Sequence, residues 1–108
     1  MTKEPDDELM HAVQIDDIPA VEVGPGVVRR PLAVTGFARG WAIDFAPGSQ
    51  WPAVDHHETE ERYFVHSGEM IEDEHRYGAG SYVVFRAGSK HQPRSEVGAR
   101  IIGINQVG

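Results

Sequence analysis

Histidine and carboxylate side chains are concentrated in one part of this chain of 108 residues. Four of the six histidines and eight of the 17 acidic residues lie between positions 55 and 75. Neutral imidazole and carboxylate groups are suitable ligands for Fe(II), Mn(II), Zn(II) and Ni(II). The chain has no cysteine, which excludes thiolate metal sites, disulfides and cysteine nucleophiles. Any transition-metal site must therefore be built from nitrogen and oxygen donors.

The spacing of these side chains suggests how they could meet. His56 and His57 are followed by a polar turn and then by Glu61, at the start of an apolar segment. A hairpin at this turn would bring Glu61 back beside the histidines on one wall of a sheet. His91 follows a second turn, at residues 88–90, and is expected to close the site from the opposite wall. The sequence thus predicts one divalent ion per chain, with His56, His57, Glu61 and His91 as ligands.

Short strands separated by turns must position these side chains. The 12 glycines and seven prolines recur so regularly that long helices have no room, which disfavours a parallel α/β fold. Segments rich in Val, Ile, Phe, Tyr and Trp alternate with turn formers, as is typical of strands. The sequence therefore predicts an all-β antiparallel barrel or sandwich. The predicted strands are Ala20–Val23, Val27–Val34, Phe37–Phe45, Arg62–His66, Ser81–Phe85 and Arg100–Ile104.

The same residues resemble the motifs of the cupins, a family of double-stranded β-helix barrels of jelly-roll type that hold one metal ion. The first cupin motif ends with a Glu, six residues and a Gly, and Glu61 and Gly68 have this spacing. The second motif is matched in spacing by Gly80, Gly88 and His91. Arg86 and Ser95 stand where that motif has Pro and Asn. Neither departure removes a metal ligand.

The first motif leaves one ligand position open. The family has two histidines separated by one residue before the Glu, whereas in this chain His56 and His57 are adjacent. One register retains His56 and loses the first ligand, whereas another places Asp55 in a histidine position and retains His57. Residues i and i+2 of a strand share a face, so this second register would point Asp55 and His57 the same way. A β-bulge would instead turn both histidines inward. Glu61, His91 and at least one histidine of the pair are ligands in every register.

A closer resemblance covers residues 24–104. Segments at 44–52, 72–82 and 88–98 are similar to the C-terminal cupin of zinc-dependent anti-sigma factors and, more distantly, to acetylacetone-cleaving dioxygenases. Enzymes of this group use Fe(II) and oxygen to cleave carbon–carbon bonds. The resemblance therefore implies a non-haem Fe(II) dioxygenase acting on a small diketone, hydroxyketone or phenolic ketone. Tyr63 and Phe85 are expected to line the substrate pocket, and Zn, Mn or Ni would suit the same donors.

Three other functions stay open. A non-catalytic cupin that binds or senses a metal or a small ligand is favoured by the missing histidine, because the loss of a ligand weakens metal affinity. A lyase, isomerase or cyclase with zinc or nickel would use the same open Lewis-acid site. A purely structural barrel would leave the histidines solvated. The anti-sigma role is not expected, because the sigma-binding helical domain of those regulators has no counterpart in these residues.

Charge and length restrict the kinds of partner and the number of domains. Ten Lys and Arg residues against 17 Asp and Glu residues give a net charge of −7, which argues against binding to nucleic acid or anionic membranes. The length favours one domain, predicted at residues 11–108, after a flexible tail at residues 1–10 with at most one helical turn near Asp6–Met10. A small-molecule substrate, a homodimer and a cytoplasmic location are expected.

The remaining histidines and aromatic residues have simpler interpretations. His66 and His75 match no motif position and are predicted to lie on the surface. Trp41 and Trp51 are expected to be packing residues. The charged run at residues 69–76 is predicted to form a solvated hairpin.

Overall fold

The structure, a computed structural model, describes residues 9–107. Nearly all of the tail predicted at residues 1–10, and most of the helical turn predicted near Asp6–Met10, lie outside the described residues. Within them the chain forms one 3-10 helix, Ile15–Asp17, and eleven strands. The strands are β1 (Val21–Gly24), β2 (Val27–Val34), β3 (Ala38–Phe45), β4 (Ser49–Gln50), β5 (Asp55–His56), β6 (Glu61–Glu72), β7 (His75–Gly78), β8 (Tyr82–Phe85), β9 (Lys90–His91), β10 (Arg94–Ser95) and β11 (Ala99–Gln106). None of the described helical segments has the length and apolar character needed to span a membrane.

The strands pair antiparallel throughout, which confirms the predicted all-β class. Nine strands form one sheet, in which β1, β2, β3, β11, β6, β10 and β4 are successive neighbours and β7 and β8 also pair with β6. Strands β5 and β9 form a separate two-stranded sheet. The long strand β6 pairs with four others, so it is the centre of the barrel wall. Residues at its beginning are therefore held on both sides.

Alternation of side chains along the strands builds the core. On β3, Trp41, Ile43 and Phe45 share one face and are 3%, 6% and 3% exposed. Tyr63 and Val65 on β6 meet them across β11. The other core residues are Val27, Met70 and Ile101, with Val23, Trp51, Tyr77, Val83, Phe85 and Ala99 packed against them. Both tryptophans are packing residues, as predicted.

One glycine allows this core to close. A Cβ atom on Gly103 of β11 would lie 2.2 Å from the carbonyl oxygen of Arg62 and 2.6 Å from Cη2 of Trp41. These separations are far below van der Waals contact, so only glycine fits between Trp41 and the neighbouring strand. The indole ring therefore packs against bare backbone.

The charged run at residues 69–76 differs from its prediction. The hairpin exists, because β6 and β7 pair and Asp73 adopts a positive φ of 54° at the turn. It is not solvated on both faces, however, because Met70, Ile71 and Glu72 are 0%, 1% and 8% exposed. The sequence could not reveal that β6 extends this far into the barrel. His66 and His75 are exposed, as predicted.

Candidate metal centre

Three segments bring the donor side chains together. Asp55 on β5 lies directly opposite His91 on β9, and Glu61 begins β6. Backbone bonding continues past β5, because the His57 N–H donates to the Ser89 carbonyl at 2.9 Å. Asp55 and His57 therefore point to the same side, as residues i and i+2 of an extended chain do.

Four donor atoms converge at this place. Nε2 of His57 lies 3.0 Å from Oε2 of Glu61 and 3.2 Å from Oδ2 of Asp55. Nε2 of His91 lies 3.2 Å from the same Glu61 oxygen and 3.6 Å from the same Asp55 oxygen. His57 and Glu61 are buried, whereas His91 and Asp55 are partly buried. The centre is thus enclosed by the barrel on one side and open on the other.

The separations suit a single divalent ion. An ion about 2.1 Å from every donor would place neighbouring donors roughly 3.0 Å apart at right angles and roughly 3.4 Å apart at tetrahedral angles. The four measured donor separations, 3.0 to 3.6 Å, are close to these values. Two imidazole nitrogens and two carboxylate oxygens also form the donor set expected for first-row divalent metals.

The far nitrogen of each histidine is held by another side chain. Nδ1 of His57 lies 3.0 Å from Oγ of Ser89, whose hydroxyl donates to the Arg86 carbonyl at 2.6 Å. Nδ1 of His91 lies 2.9 Å from Oε1 of Glu72. When Nδ1 carries the proton of a neutral imidazole, the Nε2 lone pair faces the centre, and such contacts fix both the tautomer and the ring orientation.

A chain of buried hydrogen bonds supports the Glu72 carboxylate. The Tyr63 hydroxyl donates to Oε2 of Glu72 at 2.5 Å, while Oε1 holds His91. Burial, and then the charge and the hydrogen bond of Glu72, raise the pKa of Tyr63 far above its usual value. The phenol therefore stays protonated and serves as a fixed donor to Glu72. Glu72 could not be recognised from the sequence, because it lies within an acidic run and its burial depends on distant strands.

The second Glu61 oxygen is held in the same way. Asn105 donates from Nδ2 to Oε1 of Glu61 at 2.9 Å, and Trp41 donates from Nε1 to Oδ1 of Asn105 at 2.7 Å. This network leaves Oε2 of Glu61 directed at the two imidazoles. Asn105 could not be recognised from the sequence either, because it belongs to no recognisable motif. Trp41, predicted only as a packing residue, additionally orients this amide.

Phe85 lies behind the imidazoles instead of lining the cavity. Its ring centroid is 4.2 Å from that of His91 and 5.3 Å from that of His57. Its tilted ring fills the space beside both imidazoles and limits their rotation. Tyr63, the other residue expected in the pocket, does line the cavity next to the centre.

Contacts between the His91 imidazole and neighbouring carboxylates shift the pKa values of His91 and Glu61. Burial acts to lower the pKa of His91, but hydrogen bonds and charges from Glu61 and Glu72 outweigh it and raise the pKa to about 9. Burial acts to raise the pKa of Glu61, but His91, Asn105 and His57 outweigh it and leave the pKa below its usual value. Without an ion the site therefore holds a proton on His91, which a divalent cation would replace.

A cavity of about 320 Å³ opens onto the donor atoms. Asp55, Glu61 and His91 lie along its wall. The rest of the lining combines apolar and aromatic side chains with polar ones. The first group comprises Trp41, Ile43, Phe45, Trp51, Tyr63, Pro93 and Ile101, and the second comprises Arg29, Arg39, Thr59, Asn105 and Gln106. The cavity is large enough for a small organic molecule that reaches the donor cluster.

The structure brings together some of the predicted ligands and adds another. His57, Glu61 and His91 meet with Asp55, which corresponds to the register that placed Asp55 in a histidine position. His56 is exposed and is not part of the cluster. No bulge turns it inward, because pairing with Lys90 keeps the strand regular there. His91 lies on the strand beside Asp55, not on the opposite wall as expected.

Comparison with known proteins identifies the family of this chain. The sequence profile described as the ChrR cupin-like domain matches residues 8–106. The chain belongs to the ChrR cupin-like family. The predicted resemblance to small cupins is thereby confirmed. A search of curated proteins finds no match.

Solved structures share the fold at low sequence identity. An acetylacetone dioxygenase from Acinetobacter johnsonii is 15% identical over 98% of this chain and 78% of its own, with a TM-score of 0.78. The polyketide cyclase RemF from Streptomyces resistomycificus is 17% identical over 90% of this chain and 79% of its own, with a TM-score of 0.77. The anti-sigma protein ChrR, solved with SigE from Rhodobacter sphaeroides, is 20% identical over 85% of this chain, with a TM-score of 0.74. This chain covers only 51% of ChrR. One fold thus serves catalytic and regulatory proteins, so the site must decide the function.

Proposed function

We propose that this protein is a metal-dependent enzyme, a non-haem Fe(II) dioxygenase that acts on a small diketone, hydroxyketone or phenolic ketone. The observation that carries the proposal is the convergence of two imidazole nitrogens and two carboxylate oxygens at one end of a cavity of about 320 Å³. His57, His91 and Glu61 have the composition of the two-histidine, one-carboxylate sites of Fe(II) oxygenases. The resemblance to acetylacetone dioxygenase favours iron over Zn, Mn or Ni.

Each residue has a defined part in this proposal. His57, His91, Glu61 and Asp55 hold the ion. When bound, it supplies a Lewis acid that withdraws electron density from chelating substrate oxygens and a centre at which oxygen can react. The apolar and aromatic side chains of the cavity wall would displace water from the part of the substrate that they contact, which strengthens electrostatic interactions there. Glu72 and Asn105 keep the ligands oriented while substrate enters and leaves.

Metal analysis tests the site directly. Purified protein is expected to contain about one divalent ion per chain, and the double variant Glu61→Ala/His91→Ala is expected to contain none. The variant His56→Ala is the matched control, because that imidazole lies next to the site but points into solvent. Equal metal content in the double variant and the wild type would contradict the assignment.

Oxygen uptake tests the reaction. The Fe(II)-loaded protein is expected to consume oxygen in proportion to added diketone or phenolic ketone, and the Zn(II)-loaded protein is not. Product analysis by mass spectrometry would show carbon–carbon cleavage with oxygen incorporated. Cleavage or cyclisation that continues with Zn(II) or Ni(II) and without oxygen would instead assign a lyase, isomerase or cyclase.

A non-catalytic sensor is the second candidate. The observation that favours it is Asp55, which replaces a family histidine with a weaker donor for late transition metals. The likeness to ChrR, an anti-sigma protein, is consistent with a regulatory use of the fold. Tight binding of a metal or ligand with no turnover under any metal would support this function over the enzyme.

A further inference from the structure

Two arginines in the cavity have no acidic partner. Five of the eight arginines form ion pairs with carboxylates, namely Arg30, Arg62, Arg76, Arg94 and Arg100. Within residues 9–107, Arg29 and Arg39 form neither an ion pair nor a side-chain hydrogen bond, yet both line the same cavity as Glu61 and His91. Arg86, the other arginine without an ion pair in this range, is exposed and does not line the cavity.

The strand register explains why they face the cavity. Arg39 on β3 is paired with Asn105 on β11, and Asn105 is paired with Glu61 on β6. These three residues form one row across the sheet, with side chains on the same face. Two strand spacings of about 4.8 Å each separate the backbone of Arg39 from that of Glu61, or about 10 Å in total. An arginine side chain at this distance can approach the far end of a small ligand.

Arg29 lies one strand further along the same wall. It is paired with Ile43 on β3, which has its side chain in the core face with Trp41. Burial and, after it, the charge of Arg39 lower the pKa of Arg29. The two positive charges therefore repel each other on the cavity wall, where Arg29 is partly buried and Arg39 is exposed. A bound anion would relieve this repulsion and supply acceptors for their N–H groups.

The charge of the metal centre does not provide that anion. Asp55 and Glu61 together neutralise the two positive charges of a divalent ion, and the histidines would be neutral as ligands. The remaining negative charge, on Glu72, lies behind His91, where the Tyr63 hydroxyl and the His91 N–H donate to it. The loaded cavity therefore has, at one end, a metal centre whose positive charge is already balanced, then apolar and aromatic side chains on the wall, and two arginines without a carboxylate partner away from the centre. A ligand complementary to all three parts has chelating oxygens, a short apolar segment and a terminal anionic group.

We infer that the substrate is a small oxygenated carboxylic acid, whose carboxylate is bound by Arg29 and Arg39 while its keto or hydroxyl oxygens reach the metal centre. This inference rests on the proposed function and narrows its substrate class from neutral ketones to keto or hydroxy acids. A carboxylate is the group that a guanidinium recognises with two parallel hydrogen bonds.

Paired ligands test the inference through binding alone. Succinylacetone is a β-diketone that carries a carboxylate two methylene groups away, and its methyl ester has the same skeleton without the charge. Dissociation constants would be measured with the Zn(II)-loaded protein by quenching of tryptophan fluorescence, because both tryptophans of the chain line the cavity. The acid is expected to bind at least about tenfold more tightly than the ester.

Arginine variants assign the effect to the two side chains. Arg29→Gln and Arg39→Gln are each expected to reduce the preference for the acid, and the double variant to abolish it, with the affinity for the ester unchanged. Arg76→Gln is the control, because Arg76 is exposed on the outer hairpin and pairs with Glu69. Metal content and circular dichroism would establish that every variant is folded and loaded.

The outcomes separate this inference from the proposed function. Equal binding of acid and ester by the wild type, or an unchanged preference in the double variant, would overturn the inference while leaving the metal enzyme intact. Arginine-dependent binding of the acid by a protein that takes up no metal would support the anion site and contradict the proposed function. Binding of neither compound to the metal-loaded protein would overturn the inference, and oxygen uptake with the ketone panel would decide the proposed function separately.

Discussion

At the scale of single residues, the site depends on side chains that touch no ion. Glu72 holds Nδ1 of His91 and is itself held by the Tyr63 hydroxyl. Contacts of this kind fix the ligand's tautomer and orientation and raise its basicity. A small displacement of the imidazole would therefore be felt as a loss of metal affinity, even though the four ligands remain.

Glu72→Gln is expected to weaken metal binding by about 10- to 100-fold, because a neutral amide is a poorer partner for the His91 N–H. Competition with a chromogenic chelator would measure the dissociation constant. Glu74→Gln is the control, since Glu74 lies on the same hairpin but is exposed. Identical affinities for the two variants would show that Glu72 does not position His91.

Metal affinity is expected to increase with pH. The pKa of His91 is about 9 without an ion, so at neutral pH this imidazole is protonated and must lose its proton to become a ligand. Apparent affinity should rise up to about tenfold per pH unit below this pKa and level off above it. Calorimetry in buffers of different ionisation enthalpy should detect about one proton released per ion at neutral pH. No proton release would contradict the assignment of His91 as a ligand.

At the scale of elements, strands of ordinary length were predictable and two-residue strands were not. The predicted segment Val27–Val34 coincides with β2, because strand-forming residues and the preceding Gly-Pro-Gly turn mark it. Strands β5 and β9 have two residues each, which is too short for any periodicity. Their pairing places His91 beside Asp55, so its position was wrongly predicted. The sequence motifs indicated His57, Glu61 and His91, but the neighbours that orient them depend on tertiary contacts.

Gly103→Ala tests how closely the central strands must approach. The added Cβ would collide with a backbone carbonyl of β6 and with the ring of Trp41, and backbone cannot move aside cheaply. We expect a loss of about 2 kcal/mol or more in the free energy of unfolding, measured in urea. Gly78→Ala is the control, because nothing lies within 4 Å of a Cβ at this strand position. Equal stability of the two variants would contradict the packing described.

At the scale of the whole molecule, assembly stays a prediction. Strand β8 pairs only with β6 in the described part of the chain, and its outward residues Tyr82 and Val84 are 60% and 43% exposed. An unpaired apolar edge favours association with another strand. Light scattering during size-exclusion chromatography is expected to give the mass of a homodimer for the wild type and of a monomer for Val84→Lys. A monomeric wild type at high concentration would contradict this expectation.

An anomalous difference map from crystals soaked in Fe(II) or Zn(II) would locate the ion itself. One strong peak per chain is expected, about 2.0–2.2 Å from Nε2 of His57, Nε2 of His91 and Oε2 of Glu61. Asp55 should complete the set of protein ligands, and His56 should remain in solvent. A peak at another histidine, or none between these donors at saturating metal, would contradict the account.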